Sequence, residues 1–343
     1  MLNEIKILPI TAELYPSLYE IVQASQWGNP MLPTTYQESL WGDVLIEEDR
    51  VIGGWVGTIR GNIPIAKMIT KSVYFDSYPI FANVSDEQKY IDDLIFAIKQ
   101  HAKKERVVML NLTHWVRGHR NIALDVYEKC ATFIFDLSLN VEDLYAKLDR
   151  LKRRTIKKAE QAELVVNFYD GELAIPQIAS FQQLRSITQQ RAIQNNANAS
   201  MLLKSDDFFI SLIKNNRTIL ANVIHNNKCV AAVTFIIGGK TVYAHMSGSD
   251  SEANKTTGAG TYYYWKAIEY FKELGYDQFD FGGCPLNPIQ EDPAYGIFMF
   301  KQGFGGDYQE FSCGKIIIAP LSYKLLQFLL SQRKLLRLFS KNL

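Results

Sequence analysis

Three consecutive strand patterns between residues 218 and 247 constrain the fold more than any other part of the chain. All three are rich in β-branched and aromatic residues, which favour strands. They are TILANVIH (218–225), CVAAVTFII (229–237) and TVYAHMS (241–247). Asn226-Asn227 and Gly238-Gly239 separate them, and such pairs are typical of tight hairpin turns. The segment therefore predicts an antiparallel meander.

Helical and strand patterns also alternate on both sides of this meander. A helix at 261–274 and a strand at 277–281 follow it. Nearer the start, paired strands are expected at 51–59 and 64–70, after a loop at 29–43. Since helices would cover mainly antiparallel sheets, the sequence predicts the α+β class. A chain of 343 residues is long for one core, so we expect two domains.

Composition excludes several classes of protein and several kinds of site. The net charge of +1 gives no overall field that would attract nucleic acid or a membrane, so any such partner needs a local patch. The four cysteines form no C-x-x-C pair, which predicts a reducing compartment and no metal site. No run of 18 uncharged apolar residues occurs, and the start of the chain does not resemble a signal peptide. We expect a cytoplasmic protein without a transmembrane segment.

A basic segment near the middle of the chain, LDRLKRRTIKKAEQAEL (148–164), has two interpretations. Apolar residues recur at three- and four-residue steps over 141–162, which predicts one long helix. Six cations lie within nine residues of it: Arg150, Lys152, Arg153, Arg154, Lys157 and Lys158. They could bind the phosphates of a nucleic acid, or simply form a solvated helix face.

A lysine among aromatic residues and glycines stands out in the segment FDFGGCPLNPIQEDPAYGIFMFKQGFGG (279–306). Lys301 follows Phe300 and precedes Gly303-Phe304, and burial beside apolar groups makes an ammonium demand an anionic partner. That partner is either structural, such as Asp280 or Asp307, or a substrate. Asp280 itself is expected either to orient an attacking amine or to accept hydrogen bonds from nearby backbone N–H groups.

The second half of the chain resembles the Fem family (FemABX) of aminoacyltransferases. The resemblance rests on the basic segment, on YAHMSGSD (243–250), on YYYWKAIEYFKELGYDQFDFGG (262–283) and on FMFKQGFGG (298–306). It implies two tandem acetyltransferase-like (GNAT) domains, each a mixed, mainly antiparallel sheet flanked by helices. The family's coiled-coil arm is not expected, because only about 45 residues without heptads separate Asp170 from Lys214. The expected domains are 1–138 with a C-terminal helix at 320–343, and 139–319.

The resemblance implies an acyltransferase, with the donor left open. The favoured reaction moves an aminoacyl group from aminoacyl-tRNA to an amine of a peptidoglycan precursor, linked to a nucleotide or a lipid. The alternative is an acyl-CoA-dependent GNAT N-acyltransferase acting on a nucleotide-linked sugar in polysaccharide synthesis. A non-catalytic binding module is the third hypothesis. No tightly bound cofactor is expected in any of them.

Candidate site residues follow from the resemblance and from local chemistry. Lys301 is the expected catalytic residue, stabilising the oxyanion that forms on the acyl carbonyl. The residues expected to bind substrate are Arg191, Lys204, Tyr243, Tyr295 and Phe300. The tRNA patch would consist of Arg150, Arg153, Arg154 and Lys157. A loop that would hold the pyrophosphate of acyl-CoA contains Lys255, Gly258 and Gly260.

The C-terminal segment from Pro320 mixes leucines with five cations and contains no acid. A basic amphipathic helix of this kind can lie on an anionic membrane surface, which would give a peripheral membrane contact. It can equally return to pack its leucines on the first domain. Both interpretations stay open at the level of sequence.

Overall fold

The computed structural model describes residues 5–61, 67–82, 87–118, 120–194 and 204–339. The first half contains β1 (Ile5–Pro9), α1 (Tyr15–Ala24), β2 (Leu40–Glu47), β3 (Arg50–Arg60), α2 (Lys67–Thr70), β4 (Ser72–Phe75), β5 (Ile80–Phe81), α3 (Glu87–Lys104), β6 (Met109–Leu112) and β7 (Val126–Asp136). The second half contains α4 (Val141–Lys147), α5 (Arg150–Gln161), β8 (Val165–Asp170), a 3-10 helix (Gly171–Gln177), α6 (Ile178–Gln194), α7 (Asp206–Asn215), β9 (Thr218–His225), β10 (Lys228–Gly238), β11 (Thr241–Ser249), α8 (Ser251–Thr257), α9 (Ala259–Glu273), β12 (Gln278–Cys284), α10 (Tyr295–Gln302), β13 (Asp307–Ile317) and α11 (Pro320–Phe339).

The chain divides into two compact units. Unit 1 comprises residues 1–25, 35–129 and 311–343, and unit 2 comprises 26–34 and 130–310. Unit 2 begins after residue 129 rather than after 138, and it ends at residue 310 rather than at 319. Residues 26–34, which were expected in the first domain, also belong to unit 2. The expected domains, 1–138 with 320–343 and then 139–319, stay a prediction. None of the described helices has the length and apolar run that crossing a bilayer requires.

Unit 1 is built on strands in the order β1–β2–β3–β4–β6–β13, with β5 also pairing with β3. All described pairs are antiparallel except β4 with β6. Helix α3 buries its apolar stripe, Ile91, Leu94, Ile98 and Ala102, against this sheet. The strand at 40–47 was missed at its start, where a loop was predicted. The strand predicted at 64–70 is wrong over 67–70, which form α2, and residues 64–66 lie outside the described part.

Unit 2 contains the predicted meander within the strand order β7–β12–β11–β10–β9–β8. Asn226 and Asn227 adopt φ of 49° and 61°, the left-handed conformation that a tight hairpin needs and that Asn tolerates. The second turn is shifted by one residue, since β10 runs through Gly238 and Gly239 takes the positive φ of 64°. Strand β12 pairs parallel to β11, and the other described pairs are antiparallel. The predicted α+β class is confirmed.

Aromatic residues dominate the core of unit 2. Helix α9 buries Tyr262, Tyr263, Tyr264 and Trp265 in succession. Phe279 and Phe281 of β12 face Tyr264 at ring-centroid distances of 6.2 and 5.3 Å. Each buried aromatic ring removes a large apolar area from water, so α9 and β12 are held together firmly. This contact fixes the carboxyl end of β12, where the candidate site begins.

The single helix predicted over 141–162 is wrong, because it breaks at Leu148 and Asp149. Leu148 takes an extended ψ of 140°, and Asp149 becomes the N-cap of α5. The Asp149 carboxylate accepts a hydrogen bond from the backbone N–H of Lys152 at 2.6 Å. Aspartate stabilises a helix start better than a helix interior, so the chain starts a new helix here. After the break Lys152 is buried, while Leu151, an apolar residue of the predicted single helix, is 66% exposed.

The region between Asp170 and Lys214 holds no long arm among its described residues. It consists of the 3-10 helix, α6 and α7, with residues 195–203 outside the described part. Pro176 lies inside the 3-10 helix, and α6 begins at Ile178.

Candidate functional site

The carboxyl end of β12 is distorted by a bulge at Phe281 and Gly282. The pairing of β12 with β7 shifts register between Asp280 and Gly283. Gly282 has a φ of +75°, and a methyl group on it would lie 2.9 Å from the carbonyl oxygen of Ala244. Glycine alone adopts this conformation without strain, and it leaves no room for a side chain. At this bulge, the carbonyl oxygens of Gly282 and Gly283 accept hydrogen bonds from side chains.

A buried carboxylate holds this bulge in place. Asp280 is fully buried, and its Oδ1 accepts a hydrogen bond of 2.6 Å from the backbone N–H of Gly282. The hydroxyl of Thr132 lies 2.6 Å from the same oxygen and 2.9 Å from the carbonyl oxygen of Gly282, and its single hydrogen serves one of them at a time. Of the two roles expected for Asp280, the structure shows the one in which it accepts a backbone N–H.

Lys301 extends from α10 to the two carbonyl groups of the bulge. Its ammonium donates to the carbonyl oxygen of Gly282 at 2.9 Å and to that of Gly283 at 2.7 Å. These acceptors are uncharged backbone carbonyls, and the two bonds orient the ammonium. The side chain is half-buried, as the sequence predicted from its neighbours. Its catalytic role stays a prediction.

A second lysine lies inside the aromatic cluster beside this site. Lys152 is 6% exposed, and its Nζ lies 3.5 Å from the ring centroid of Phe300 and 4.7 Å from that of Phe304. Burial lowers the pKa of Lys152 to about 8, although the nearby carboxylate of Asp149 works in the opposite direction. The ring faces provide the electron density that an ammonium attracts. The Lys152 ammonium therefore lies over the ring face of Phe300, and Phe300 directly precedes Lys301, the lysine of the candidate site.

Backbone contacts tie α10 to the start of α5. The N–H of Asp149 donates to the carbonyl oxygen of Gly303 at 2.8 Å. A methyl group on Gly303 would lie 2.4 Å from the Asp149 carboxylate, so only glycine allows this approach. Sequence reasoning missed both Lys152 and this contact. Only the Asp149 N-cap signal, which comes three residues before Lys152, could have revealed the change of helix.

The residues predicted to form a tRNA patch lie on α5. Arg150, Arg154 and Lys157 are exposed, and Arg153 is half-buried with its Nη1 donating to the carbonyl oxygen of Ala146 at 3.0 Å. Lys152 of the same basic run does not belong to the solvated face. The patch is available to an anionic partner, and its role stays a prediction.

The residues predicted to bind substrate are held in separate places. Arg191 donates to the Ser251 hydroxyl at 2.8 Å, while the ammonium of Lys204 lies 5.1 Å from the centre of the Phe208 ring. Tyr243 is fully buried, with its hydroxyl 3.5 Å from the carbonyl oxygen of Gly28, so no surface of it is open to a substrate. Tyr295 begins α10 and is half-buried. The described contacts do not bring Arg191 and Lys204 together.

The loop predicted to hold acyl-CoA is a helix followed by a tight turn. Lys255 lies within α8, and Gly258 ends α8 and begins α9 with a φ of 78°. Gly260 is buried, and its N–H donates to the side-chain oxygen of Asn254 at 2.7 Å. The prediction of an open loop is wrong, because the Asp250 carboxylate caps α8 by accepting from two backbone N–H groups. The proposed role of these glycines in binding a donor stays a prediction, and the turn already explains both.

A buried arginine in α6 was also missed. Arg185 is 1% exposed, and its Nε has no hydrogen-bond partner among the described residues. Its Nη1 lies 3.4 Å from the side-chain oxygen of Gln182, and its guanidinium faces the rings of Phe181 and Phe209. Burial lowers the pKa of Arg185 from its usual range. A charge in such surroundings is costly, and nothing in the sequence distinguishes this arginine from an exposed helical one.

Comparison with known proteins supports the resemblance drawn from the sequence. Residues 211–331 match the FemAB family. No curated protein matches the chain. The crystal structure of FemX is similar in fold, with a TM-score of 0.68 at 13% identity, covering 93% of this chain and 99% of FemX.

Two further structures share the fold less closely. One is a conserved protein of unknown function from Bacteroides thetaiotaomicron, with a TM-score of 0.51 at 11% identity, covering 90% of this chain and 99% of that one. The other is the C-terminal domain assigned to a lysylphosphatidylglycerol synthetase of Agrobacterium fabrum, with a TM-score of 0.51 at 12% identity, covering 76% and 80%. Such identities show a common fold only. The match of residues 211–331 to the FemAB family and the fold shared with FemX both agree with the resemblance drawn from the sequence.

Proposed function

We propose that the chain is an aminoacyltransferase of peptidoglycan synthesis that takes its acyl group from aminoacyl-tRNA. The acceptor would be an amine of a nucleotide- or lipid-linked precursor, met on the cytoplasmic side of the membrane. The FemAB match and the FemX fold support acyl transfer. The geometry around Lys301 supports the way in which the chemistry would be assisted.

The observation that carries the proposal is the position of the Lys301 ammonium at the carbonyls of Gly282 and Gly283. An oriented cation next to a reacting ester lowers the energy of the charge that develops on the ester oxygen. Because the bulge, Asp280 and Thr132 fix the carbonyls, the ammonium needs no reorganisation when that charge forms. This preorganisation makes a cation useful in catalysis rather than merely attractive to anions.

The reaction requires no group beyond the two substrates and this cation. The acceptor nitrogen attacks the ester carbonyl carbon, a C–N bond forms, and the carbonyl oxygen becomes an oxyanion beside Lys301. The bond between that carbon and the ribose oxygen of the tRNA then breaks. The proton lost by the attacking nitrogen goes to the leaving ribose oxygen, so the products are an amide and a free tRNA terminus.

The choice of tRNA over acyl-CoA rests on two contrasting surfaces. The exposed cations of α5, Arg150, Arg154 and Lys157, offer an anionic strand a place to bind. The glycine turn after α8 has fewer backbone N–H groups available to bind a pyrophosphate, because the N–H of Gly260 already donates to the side-chain oxygen of Asn254. We therefore retain acyl-CoA only as the outcome that the experiment below would reveal.

The test supplies each donor separately. The protein is incubated with charged tRNA or with acetyl-CoA, each with a nucleotide-linked muropeptide, and the products are weighed by mass spectrometry. We expect the mass of one aminoacyl group to be added from tRNA only, and RNase treatment to abolish it. Addition of an acetyl group from acetyl-CoA, with none from tRNA, would contradict the proposal. The exposed Lys240→Met variant, in the turn after β10, serves as a control that should retain full activity.

A further inference from the structure

Helix α11 exposes a continuous apolar face. Leu321, Leu325, Phe328 and Leu329 are 83%, 47%, 58% and 44% exposed. Their spacing of four, seven and eight residues places them on one side of a helix. Scattered single leucines on a surface are ordinary, but four large apolar side chains on one helical face indicate a surface that binds something.

The opposite side of α11 accounts for its attachment to unit 1. Ser322, Tyr323 and Leu326 are half-buried, and the helix packs against α2. The ammonium of Lys315 in β13 lies 5.7 Å from the ring centre of Tyr323. The helix therefore has an inner side that anchors it, and its exposed leucines are not the side that holds it to the protein.

Charge shows what kind of partner this apolar face suits. The segment 320–343 contains five Lys or Arg residues and no Asp or Glu, whereas the whole chain carries only +1. The rest of the chain is therefore net negative. Lys324 is exposed and precedes Leu325 on the helix. An apolar face accompanied by cations alone complements a surface that is apolar in depth and anionic at its boundary.

We propose that α11 is a peripheral membrane-binding helix, whose apolar face enters the headgroup boundary of a bilayer that contains anionic lipid. The helix would lie in the plane of the surface, with Lys324 at the phosphate level. This inference does not depend on the proposed enzymatic reaction. A protein bound in this way would meet lipid-linked molecules without crossing the bilayer.

The experiment measures binding of the full chain to vesicles by co-sedimentation. One vesicle type is phosphatidylcholine alone, and the other is an equal mixture of phosphatidylcholine and phosphatidylglycerol. The double variant Leu325→Glu/Phe328→Glu removes the apolar face. Leu173→Glu is the matched control, since Leu173 is a leucine of unit 2 that is 72% exposed.

We expect the wild-type chain and Leu173→Glu to bind the anionic vesicles at least about tenfold more tightly than the double variant does. We also expect both of them to bind the anionic vesicles at least about tenfold more tightly than they bind the uncharged vesicles. Raising the salt concentration should weaken binding. Absence of wild-type binding to anionic vesicles would overturn the proposal, and so would equal binding by the double variant. If the double variant does not fold, Lys324→Glu, an exposed single change, must weaken binding instead. A wild-type dimer that light scattering detects and that the double variant dissolves, without any vesicle binding, would assign the face to a second copy of the chain.

Discussion

Replacing Lys152 by methionine tests how the aromatic cluster beside the candidate site holds a cation. Methionine keeps much of the length of the lysine stem and removes its charge. Lys152 is 6% exposed, with Phe300 at 3.5 Å from its Nζ. Burial lowers the pKa of Lys152 from 10.5 to about 8. The folded protein therefore releases this proton at a lower pH than the unfolded chain does.

The direction and size of the effect follow from this difference. Between about pH 8 and pH 10.5 the unfolded state binds more protons than the folded state, so the free energy of unfolding of the wild type rises with pH there. With these pKa values the rise between about pH 6.5 and about pH 9.5 is about 2 kcal/mol. Attraction of the ammonium to the aromatic rings, about 1 kcal/mol, raises the folded-state pKa and reduces the rise to about 1 kcal/mol. The Lys152→Met protein lacks this pH-dependent contribution to the free energy of unfolding.

The assay is urea denaturation of wild type and Lys152→Met at both pH values. Contributions from other titrating groups cancel in the difference between the two proteins. We expect that difference to shift by about 1–2 kcal/mol in favour of the wild type as the pH rises. The exposed Lys240→Met variant should show no shift. A difference that stays constant with pH would refute the reasoning, because Lys152 would then have the same proton affinity in both states.

Three further substitutions test other parts of the account. Gly282→Ala should lower the free energy of unfolding by about 1–3 kcal/mol, since its φ is +75°, while Gly283→Ala, with open space around it, should change it little; thermal denaturation compares the two. Arg185→Met should leave stability unchanged or raise it by about 1–3 kcal/mol, because it removes a buried charge whose Nε has no partner among the described residues, and a loss on urea denaturation would contradict this. The hydrogen bond that the His101 ring donates to the Asp43 carboxylate raises the pKa of His101, so the stabilisation by this pair is complete below about pH 6.5 and is lost as the pH rises through the folded-state pKa. His101→Gln should therefore cost more stability in acidic than in alkaline buffer, and an equal cost in both would be inconsistent with that pair.

Local patterns predicted much of unit 2. The β-branched runs and the Asn226-Asn227 turn predicted the meander, because strand propensity and turn chemistry agree there. The apolar neighbours of Lys301 predicted that its side chain is partly buried. These features depend on residues close together in sequence, so a sequence pattern can report them.

Other features depend on contacts between distant parts of the chain, and the sequence did not reveal them. Asp149, which caps α5 at the break, also donates its N–H to the carbonyl oxygen of Gly303, more than 150 residues later, and Lys152 is buried against Phe300 and Phe304. A continuous helical period could not show that. The glycines that follow α8 resemble a phosphate-binding pattern, which predicts a loop, whereas Asp250 caps α8 and Asn254 accepts a hydrogen bond from the N–H of Gly260. Short glycine motifs need this context before they indicate a ligand.

Single-turnover kinetics of Lys301→Met, measured with charged tRNA and a nucleotide-linked muropeptide, test the central claim most directly. Removing a cation that acts on the transition state should slow the chemical step by about 100–1,000-fold while leaving substrate affinity nearly unchanged. Lys240→Met should react at the wild-type rate. A Lys301→Met protein that transfers the aminoacyl group as fast as wild type would contradict the account.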